Sequence, residues 1–312
     1  MASRLIYGCM GLGGGWNREP LTEADIGRAH AAVEVALDIG ITCFDHADIY
    51  TLGKAEQTFA ALFKRIPSLR ERIRLQTKCG IRFADGEGPK RYDLSAAYIV
   101  GAVERSLQRL NTERIDVLLL HRPDPLLEPD EINEAWLVLH NAGKVGALGV
   151  SNMHAGQIRH LASRLTTPLV ANQLEMSLAK RDWLETDTCF NDAQGAAGLV
   201  WQDTLHHCQQ HGIALQAWGS LAKGWYSGAL PAGASAADGE TAALVRRLAE
   251  QHGAPPESIV LAWLLRHPAG IRPVLGTSHP DRIRACGAAE RVKLTRGEWY
   301  ALYQSARGQE LP

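Results

Sequence analysis

The sequence lacks paired cysteines. Its six cysteines, at positions 9, 43, 79, 189, 208 and 286, include no Cys-x-x-Cys pair. Disulfide frameworks and structural zinc sites are normally recognised by regularly spaced or closely paired cysteines. The scattered spacing instead favours reduced thiols, which are typical of the cytoplasm.

The chain also lacks long apolar runs and an excess of charge. No run approaches the ~20 apolar residues of a membrane-spanning helix, and the Gly-rich N-terminal region does not resemble a secretory signal. The 33 basic and 34 acidic residues give a net charge of −1, whereas nucleic-acid-binding proteins usually carry a basic excess. We therefore expect a cytoplasmic protein without a nucleic-acid or membrane partner.

Apolar strand-like runs alternate with amphipathic helical stretches along most of the chain. The predicted strands are 5–10, 41–45, 73–78, 115–120, 145–150, 169–172, 213–218 and 272–275. The predicted helices are 24–39, 54–65, 95–110, 130–142, 154–163, 202–211, 240–252 and 256–267. This alternation is typical of parallel sheets, and eight such units fit an α/β fold, the closed (β/α)8 TIM barrel. Because no Pro-, Ser- or Gly-rich linker divides the chain, we expect a single domain over residues 1–312.

Two segments, 177–201 and 222–239, interrupt the alternation and are predicted to be irregular loops. Substrate specificity is expected to come from loops of this kind, at 16–20, 81–93, 182–200 and 222–239. Four aromatic residues in them could line an apolar pocket or belong to the core: Trp16, Trp183, Trp225 and Tyr226.

Polar residues follow three successive predicted strands. Asp45 and Tyr50 follow the second strand, Lys78 ends the third and His121 follows the fourth. In a barrel of this type the carboxyl ends of all strands meet at one mouth, where the active site lies. Asp45 is then a counter-ion for a buried Lys78, and Lys78 favours the phenolate of Tyr50, whose reference pKa is ~10. With His121 as a hydrogen-bond partner, this set suits polarisation and protonation of a carbonyl group and requires no metal.

Several other interpretations remain open at this point. Asp45 and Lys78 could form a purely structural ion pair, and a lysine at a barrel strand end could form a Schiff base, as in an aldolase. His207 and His211 share a helix face, which could hold a metal. The glycines at 11–15 precede a loop rather than a helix, which does not support a Rossmann dinucleotide site. His46 and Asp48 are expected to make loop hydrogen bonds.

A set of motifs in a fixed order carries a resemblance to a known family. The motifs are Phe44-Asp45-His46-Ala47-Asp48-Ile49-Tyr50, Thr77-Lys78-Cys79-Gly80, Leu118-Leu119-Leu120-His121-Arg122-Pro123-Asp124-Pro125, Gly143-Lys144-Val145, Gly149-Val150-Ser151-Asn152, Asn172-Gln173 and Leu275-Gly276-Thr277-Ser278. Over nearly its whole length the chain resembles the aldo-keto reductases, most closely the bacterial oxidoreductases with Asp-His-Ala-Asp-Ile-Tyr.

The resemblance implies a catalytic tetrad and a cofactor. Tyr50 would be the general acid, Lys78, held by Asp45, would lower its pKa, and His121 would orient the carbonyl. The family binds NADPH without a Rossmann domain. By motif, the expected cofactor-binding residues are Ser151, Asn152, Gln173, Trp218, Gly219, Ser220, Leu221, Gly276, Thr277, His279 and Arg282.

Three positions depart from the family pattern. Trp218 stands where many members stack a tyrosine on the nicotinamide, and the larger aromatic preserves that surface. Gly219 replaces a serine near the pyrophosphate, so that a backbone amide or Ser220 would have to serve. His279 stands near where many members carry a lysine for the 2′-phosphate, leaving Arg282 as the charged phosphate ligand. NADP is therefore the expected cofactor, with NAD as the alternative.

The resemblance predicts an NADPH-dependent enzyme that reduces aldehydes or ketones to alcohols, with a small carbonyl compound as its substrate. The alternatives are an NADPH-binding sensor subunit with the same fold and little turnover, and a Schiff-base aldolase that uses Lys78. No oligomeric state is predicted.

Overall fold

The computed structural model describes residues 3–189, 203–228 and 230–312. Ten strands lie in these residues: β1 Ile6–Gly8, β2 Cys43–Asp45, β3 Arg74–Cys79, β4 Ile81–Arg82, β5 Arg91–Tyr92, β6 Val117–Leu120, β7 Leu148–Ser151, β8 Leu169–Glu175, β9 Ala214–Trp218 and β10 Arg272–Leu275. Every predicted strand is present. The short strands β4 and β5 were not predicted, and they pair with each other as an antiparallel hairpin.

Eight of the strands form a closed barrel in the order β1-β10-β9-β8-β7-β6-β3-β2. The pairs of barrel strands with assigned register are all parallel; for example, Asp45 lies opposite Gln76, and Lys78 lies opposite Leu119. This confirms the predicted (β/α)8 barrel. The barrel strands are almost entirely buried, as expected for parallel strands covered by helices.

Twelve α-helices lie in the described residues: α1 Glu23–Asp38, α2 Lys54–Arg65, α3 Leu69–Arg72, α4 Ala96–Leu110, α5 Pro129–Asn141, α6 Ala155–Ala162, α7 Asp182–Thr188, α8 Thr204–Gln210, α9 Ala236–His252, α10 Pro256–Leu265, α11 Pro280–Cys286 and α12 Arg296–Arg307. Local signals fix many of their ends. Helix α4 begins after Ser95, whose hydroxyl accepts a hydrogen bond from the Tyr98 amide, and ends at Asn111 in the left-handed conformation. Side-chain N-caps and left-handed C-terminal residues are the usual solutions for unpaired helix ends.

The prediction of an irregular loop over 177–201 was wrong for its first half. Helix α7 occupies Asp182–Thr188, and Trp183 in its first turn is only 2% exposed. Trp183 is therefore a core residue and not an exposed pocket wall. Residues 190–202 lie outside the described residues. In the second loop, the segment Ala222–Ser227 forms short helical turns and α9 begins at Ala236.

The chain divides into two compact units, of which one comprises Tyr7–Glu34 and Thr42–Gln173. Its aromatic core is a row of tilted or edge-on rings with centroids 5.5–5.8 Å apart, formed by Tyr7, Phe44, Phe59 and Phe63. The row packs helix α2 against strands β1 and β2. This unit contains all four residues of the predicted tetrad.

The second unit comprises Met1–Ile6, Val35–Ile41 and Leu174–Pro312. Trp263 and Trp299 stack at 5.3 Å, and each indole N–H donates to the carbonyl oxygen of the other residue. Trp183 meets Trp263 edge-on at 5.7 Å. The contacts fix α7 and α12 onto the apolar helix α10. The prediction of a single domain stays a prediction.

Two further features can be compared with the sequence: the state of the cysteines and the hydropathy of the helices. All six cysteines are buried and none forms a disulfide. In the residues that the structure describes, we find no helix with the length and hydropathy needed to span a bilayer.

Candidate active site

The site is centred on the side chain of Lys78, near the end of β3. Its ammonium group donates to three acceptors: Asp45 Oδ2 at 2.7 Å, the His46 carbonyl oxygen at 2.9 Å and the Tyr50 hydroxyl oxygen at 3.0 Å. Lys78 is 1% exposed and Asp45 is 2% exposed. A buried ammonium is tolerated only with such a complete set of partners. The predicted Asp45–Lys78 ion pair is therefore present.

The chain between β2 and α2 presents Tyr50 to Lys78. Residues Tyr50–Gly53 form a short 3₁₀ turn whose Thr51 and Leu52 have positive φ values of 47° and 60°. The Thr51 hydroxyl donates to the Leu12 carbonyl oxygen at 2.9 Å and fixes the turn to the loop after β1. Left-handed backbone at non-glycine residues is strained, and such strain is common at functional sites.

Burial and charge act in opposite directions on the two ionisable groups. Burial lowers the pKa of Lys78, but Asp45 and Tyr50 outweigh it and raise the pKa to about 12. Burial raises the pKa of Tyr50 above its usual value, against the lowering effect of Lys78. Taken alone, the charge of Lys78 lowers the pKa of Tyr50, as expected from the sequence. Burial has the larger effect, so the pKa of Tyr50 is raised overall. At neutral pH Lys78 is charged and Tyr50 keeps its proton.

His121 lies beside Tyr50, with ring centroids 6.0 Å apart and an angle of 83°. Its backbone amide donates to the Cys79 carbonyl oxygen at 2.8 Å, which fixes the residue at the ends of β3 and β6. Burial, followed by the charges of Lys78 and Arg122, lowers the pKa of His121 to about 2. The ring is thus neutral, and its buried Nδ1 atom has no hydrogen-bond partner among the described residues. A neutral imidazole of this kind can donate one N–H to a ligand.

A second polar group lies at the ends of β7 and β8. The Ser151 hydroxyl donates to the Gln173 carbonyl oxygen at 2.9 Å, and the Asn152 amide donates to Ser151 Oγ at 2.8 Å and to the His121 carbonyl oxygen at 3.2 Å. Asn152 has a φ of 60°. The structure thus brings three of the predicted cofactor residues, Ser151, Asn152 and Gln173, into contact beside His121.

The remaining predicted cofactor residues follow β9 and β10 in the second unit. Trp218 is half-buried, and Gly219 has a φ of 67°. The Ser220 hydroxyl donates to the Val274 carbonyl oxygen at 2.8 Å, which ties the loop after β9 to β10. Leu221 comes directly before the short turns at 222–227.

After β10, the Thr277 hydroxyl oxygen accepts a hydrogen bond from the His279 amide at 3.2 Å. Gly276, His279 and Arg282 are exposed, with His279 directly before α11. Exposed cationic and amide groups of this kind fit a phosphate ligand, and the half-buried indole of Trp218 offers an aromatic surface. The residues present therefore fit a dinucleotide.

Two features of the tetrad's surroundings were not predicted from the sequence. The Gln76 side-chain amide donates to Asp45 Oδ1 at 2.6 Å, so that both oxygens of this carboxylate are occupied. On the opposite face of β3, the Thr77 hydroxyl donates to Glu56, which also pairs with Arg109 at 2.7 Å. Gln76 could have been placed next to the tetrad from its position two residues before Lys78, because alternate residues share one face of a strand.

The expected loop hydrogen bond of the His46 side chain is not found among the described residues. Both ring nitrogens of His46 are buried and have no hydrogen-bond partner in the described part of the chain. The ring instead lies edge-on against Phe59, with centroids 4.4 Å apart. Its backbone carbonyl, not its side chain, contacts the tetrad.

Residues His207 and His211 do lie together, with ring centroids 4.2 Å apart. His211 Nδ1 is 2.9 Å from the His207 carbonyl oxygen. Within residues 3–189, 203–228 and 230–312 no group of three or more His, Cys, Asp or Glu side chains is placed to hold a metal ion.

In this closed parallel barrel, Lys78 contacts Asp45 and Tyr50, and His121 lies beside Tyr50. This is the arrangement that the sequence motifs predicted. The model of the Aldo/keto reductase family matches residues 4–306. The chain belongs to this family and is an oxidoreductase, as the resemblance predicted.

Among characterised and named relatives, the chain is 38% identical to a 6-dehydroglucose reductase of Agrobacterium fabrum, over 99% of this chain and 96% of the relative. It is 34% identical to the oxidoreductase YdhF of Escherichia coli, over 90% and 88% of the two chains. Among solved structures, the aldo-keto reductase Tm1743 with the inhibitor epalrestat matches with a TM-score of 0.77 at 22% identity, over 97% and 95% of the chains. An aldo/keto reductase of Klebsiella pneumoniae, solved with NADP and acetate, matches with a TM-score of 0.70 at 24% identity, over 96% and 90%. The structural matches support the barrel fold.

Proposed function

We propose that this protein reduces an aldehyde or ketone to the alcohol with NADPH, and that Tyr50 is the general acid. The observation that carries the proposal is the triple hydrogen bonding of the Lys78 ammonium to Asp45, the His46 carbonyl and Tyr50. It places a permanent positive charge 3.0 Å from the phenolic oxygen. This arrangement suits an acid that must become an anion when it gives up its proton.

Proton donation follows from the direction of that hydrogen bond. Because Lys78 donates to the Tyr50 oxygen, the phenolic hydrogen is free to point to a substrate carbonyl oxygen. The raised pKa of Tyr50 keeps it protonated at neutral pH before substrate binds. When the proton moves, the resulting phenolate is stabilised by the adjacent ammonium. The neutral His121 donates its N–H to the same carbonyl oxygen and orients the substrate.

We assign the cofactor contacts to the residues whose surroundings fit a dinucleotide. Bound NADPH would supply the hydride to the carbonyl carbon. Ser151, Asn152 and Gln173 would hold the nicotinamide carboxamide through amide and hydroxyl hydrogen bonds. In the second unit, Trp218 offers an aromatic surface of the kind on which the family stacks a nicotinamide ring. The loop after β10 would hold phosphate, with Arg282 as its charged ligand. NAD remains the competing cofactor because residue 279 is a histidine, where many members of the family carry a lysine for the 2′-phosphate.

For the substrate, we propose a polyhydroxylated aldehyde, and 6-dehydroglucose is the first compound to test. Two relatives with this activity in their names support the choice: the Agrobacterium fabrum protein at 38% identity and a Novosphingobium aromaticivorans protein at 34% identity. Both alignments cover at least 92% of each chain. A sugar aldehyde also suits a site whose reacting groups are hydrogen-bond donors.

The aldolase alternative conflicts with the state of Lys78. A Schiff-base lysine must be available as a neutral amine, whereas the pKa of Lys78 is raised to about 12 and its three donors are all occupied. Borohydride treatment with a carbonyl substrate should therefore leave no adduct on Lys78. An adduct mapped to this residue would favour the aldolase.

A sensor role is the second candidate, because a putative voltage-gated potassium channel subunit beta of Schizosaccharomyces pombe is 28% identical over 86% of this chain. A sensor would bind NADPH and turn over slowly. The two proposals are separated by titrating NADPH and NADH against protein fluorescence and then assaying a carbonyl panel that includes 6-dehydroglucose. Tight NADPH binding without turnover of any member would favour the sensor.

The substitution Tyr50→Phe tests the acid directly. It removes only the phenolic oxygen, so we expect a loss of at least about 100-fold in kcat, in line with the usual contribution of a general acid. The NADPH dissociation constant should change by less than about twofold, because Tyr50 is not among the proposed cofactor ligands. A variant that retains wild-type turnover would exclude Tyr50 as the acid.

A further inference from the structure

Gln76 occupies the side of Asp45 that Lys78 leaves open. The Gln76 amide donates to Asp45 Oδ1 at 2.6 Å while Lys78 donates to Oδ2 at 2.7 Å. Gln76 is 1% exposed, and its Cα lies opposite that of Asp45 in the β2–β3 ladder. Two side chains of strand β3 therefore bind the Asp45 carboxylate, one at each oxygen.

This arrangement has a physical consequence for the orientation of the Asp45 carboxylate. With Lys78 alone, the carboxylate could rotate about its Cβ–Cγ bond and still keep one oxygen on the ammonium. The second donor removes that freedom and satisfies an oxygen that has no access to water. The register keeps Gln76 in place, because the His46 amide donates to the Gln76 carbonyl oxygen at 2.8 Å.

We propose that Gln76 is a positioning residue for carbonyl reduction: its side-chain amide orients the Asp45 carboxylate, which in turn holds Lys78 against Tyr50. This inference rests on the proposed function. It assigns no contact with substrate or cofactor to Gln76, and it predicts that Gln76 acts on the proton-transfer step and not on cofactor binding.

The main test compares Gln76→Met with Thr77→Val in the wild-type background. Methionine keeps the unbranched length of glutamine but cannot donate a hydrogen bond. Thr77→Val removes one buried hydrogen bond from the same strand, on the face toward Glu56. Hydrogen bonds to charged groups are strong enough that we expect Gln76→Met to lower kcat about 10-fold or more. Thr77→Val should leave kcat within about twofold, although both variants lose a buried hydrogen bond and should have lower Tm values.

The NADPH dissociation constant serves as the internal check and should stay within about twofold of wild type in both variants. Equal losses of kcat in the two variants would overturn the positioning role, since generic destabilisation would then explain both. Gln76→Met with wild-type kcat would also overturn it. A wild-type protein that reduces no carbonyl compound would instead overturn the proposed function itself.

Gln76→Glu provides a second test that does not depend on how well the methionine variant folds. A glutamic acid can donate to Asp45 only while it is protonated, and beside a carboxylate it holds its proton more strongly. The titratable groups facing Asp45 are Lys78 on β3, Tyr50 on the turn after β2 and the Cys9 thiol after β1. All three are also present in the wild type. The ratio of variant to wild-type kcat should therefore be highest at the low end of the range from pH 5.5 to 8, and a ratio as low as that of Gln76→Met over the whole range would overturn the proposal.

Discussion

Lys78 and Asp45 are both almost inaccessible to water, so each depends on the other for its charge. The ammonium has two further acceptors, and the carboxylate has a second donor. Breaking a buried pair by removing one partner is far more costly than replacing both, because it leaves one uncompensated charge. The same two residues therefore affect both stability and the proposed proton transfer.

We expect Lys78→Met to reduce the free energy of unfolding by about 3–5 kcal/mol, since it leaves the Asp45 carboxylate buried without its cation. The double variant Asp45→Asn/Lys78→Met should recover most of that loss, because the remaining groups are neutral. Urea denaturation measures both changes. Neither variant should reduce a carbonyl compound, since both lack the cation beside Tyr50. If the double variant were no more stable than Lys78→Met, the buried charge would not be the cause of the loss.

At the scale of elements, the hairpin β4–β5 follows the strand that carries Lys78. Gly80, between β3 and β4, has a φ of 111°, and a Cβ there would approach Leu94 Cδ2 to 2.5 Å. Only glycine fits this turn. Beyond it, Arg82 pairs with Asp85, Glu87 and Asp93 at 2.7–2.9 Å, and Arg91 adds a second cation to Asp85.

This charge network predicts how the hairpin responds to the loss of Arg82. Arg82→Gln removes three ion pairs at once and should speed amide hydrogen exchange in residues 81–92 several-fold. Global Tm should change little, because ion pairs that stay in contact with water contribute little to overall stability. High salt should accelerate the same amides in the wild type by screening the network.

The control for this experiment is Arg284→Gln, which removes the exposed pair with Asp281 in α11. It should leave exchange in the hairpin unchanged. Unchanged exchange in Arg82→Gln itself would mean that backbone pairing alone holds the hairpin.

For the whole molecule, buried neutral histidines make folding sensitive to acid. Burial, followed by the charge of Lys78, lowers the pKa of His46 to about 3. The unfolded chain therefore binds this proton below pH ~6.5, while the folded chain does not until about pH 3, so stability falls between these values. His121 acts in the same direction. Asp48 acts in the opposite one, since burial and then Glu56 raise its pKa to about 7.

His46→Phe isolates this effect. No hydrogen bond of the ring among the described residues is lost, and the phenyl ring can keep the edge-on contact with Phe59. The variant should gain stability relative to wild type as pH falls, by about 2 kcal/mol between pH 7.5 and 5, because one titrating group is removed. Urea denaturation at both pH values measures the difference. A constant difference across this range would contradict the assigned protonation state of His46.

The family fold and the residue types of the tetrad could be predicted from the sequence. Apolar runs of strand length alternate with helical periodicity, and each run that carries a tetrad residue ends in a polar side chain, so local pattern alone located Asp45, Tyr50, Lys78 and His121. The short helices α3, α7 and α11 could not be predicted in this way. Helices of four to seven residues are marginal by themselves and depend on tertiary packing, as the burial of Trp183 in α7 illustrates.

The sequence by itself thus determined the eight barrel strands, the longer helices between them and the chemistry at the strand ends, because periodicity and residue type are local properties. Only the tertiary structure decided that Gln76 occupies the second oxygen of Asp45, that the pKa of Tyr50 is raised by burial, and that the His46 ring has no hydrogen-bond partner in the described residues. Each of these depends on the register of neighbouring strands and on exclusion of water, which arise when segments distant in the chain pack together.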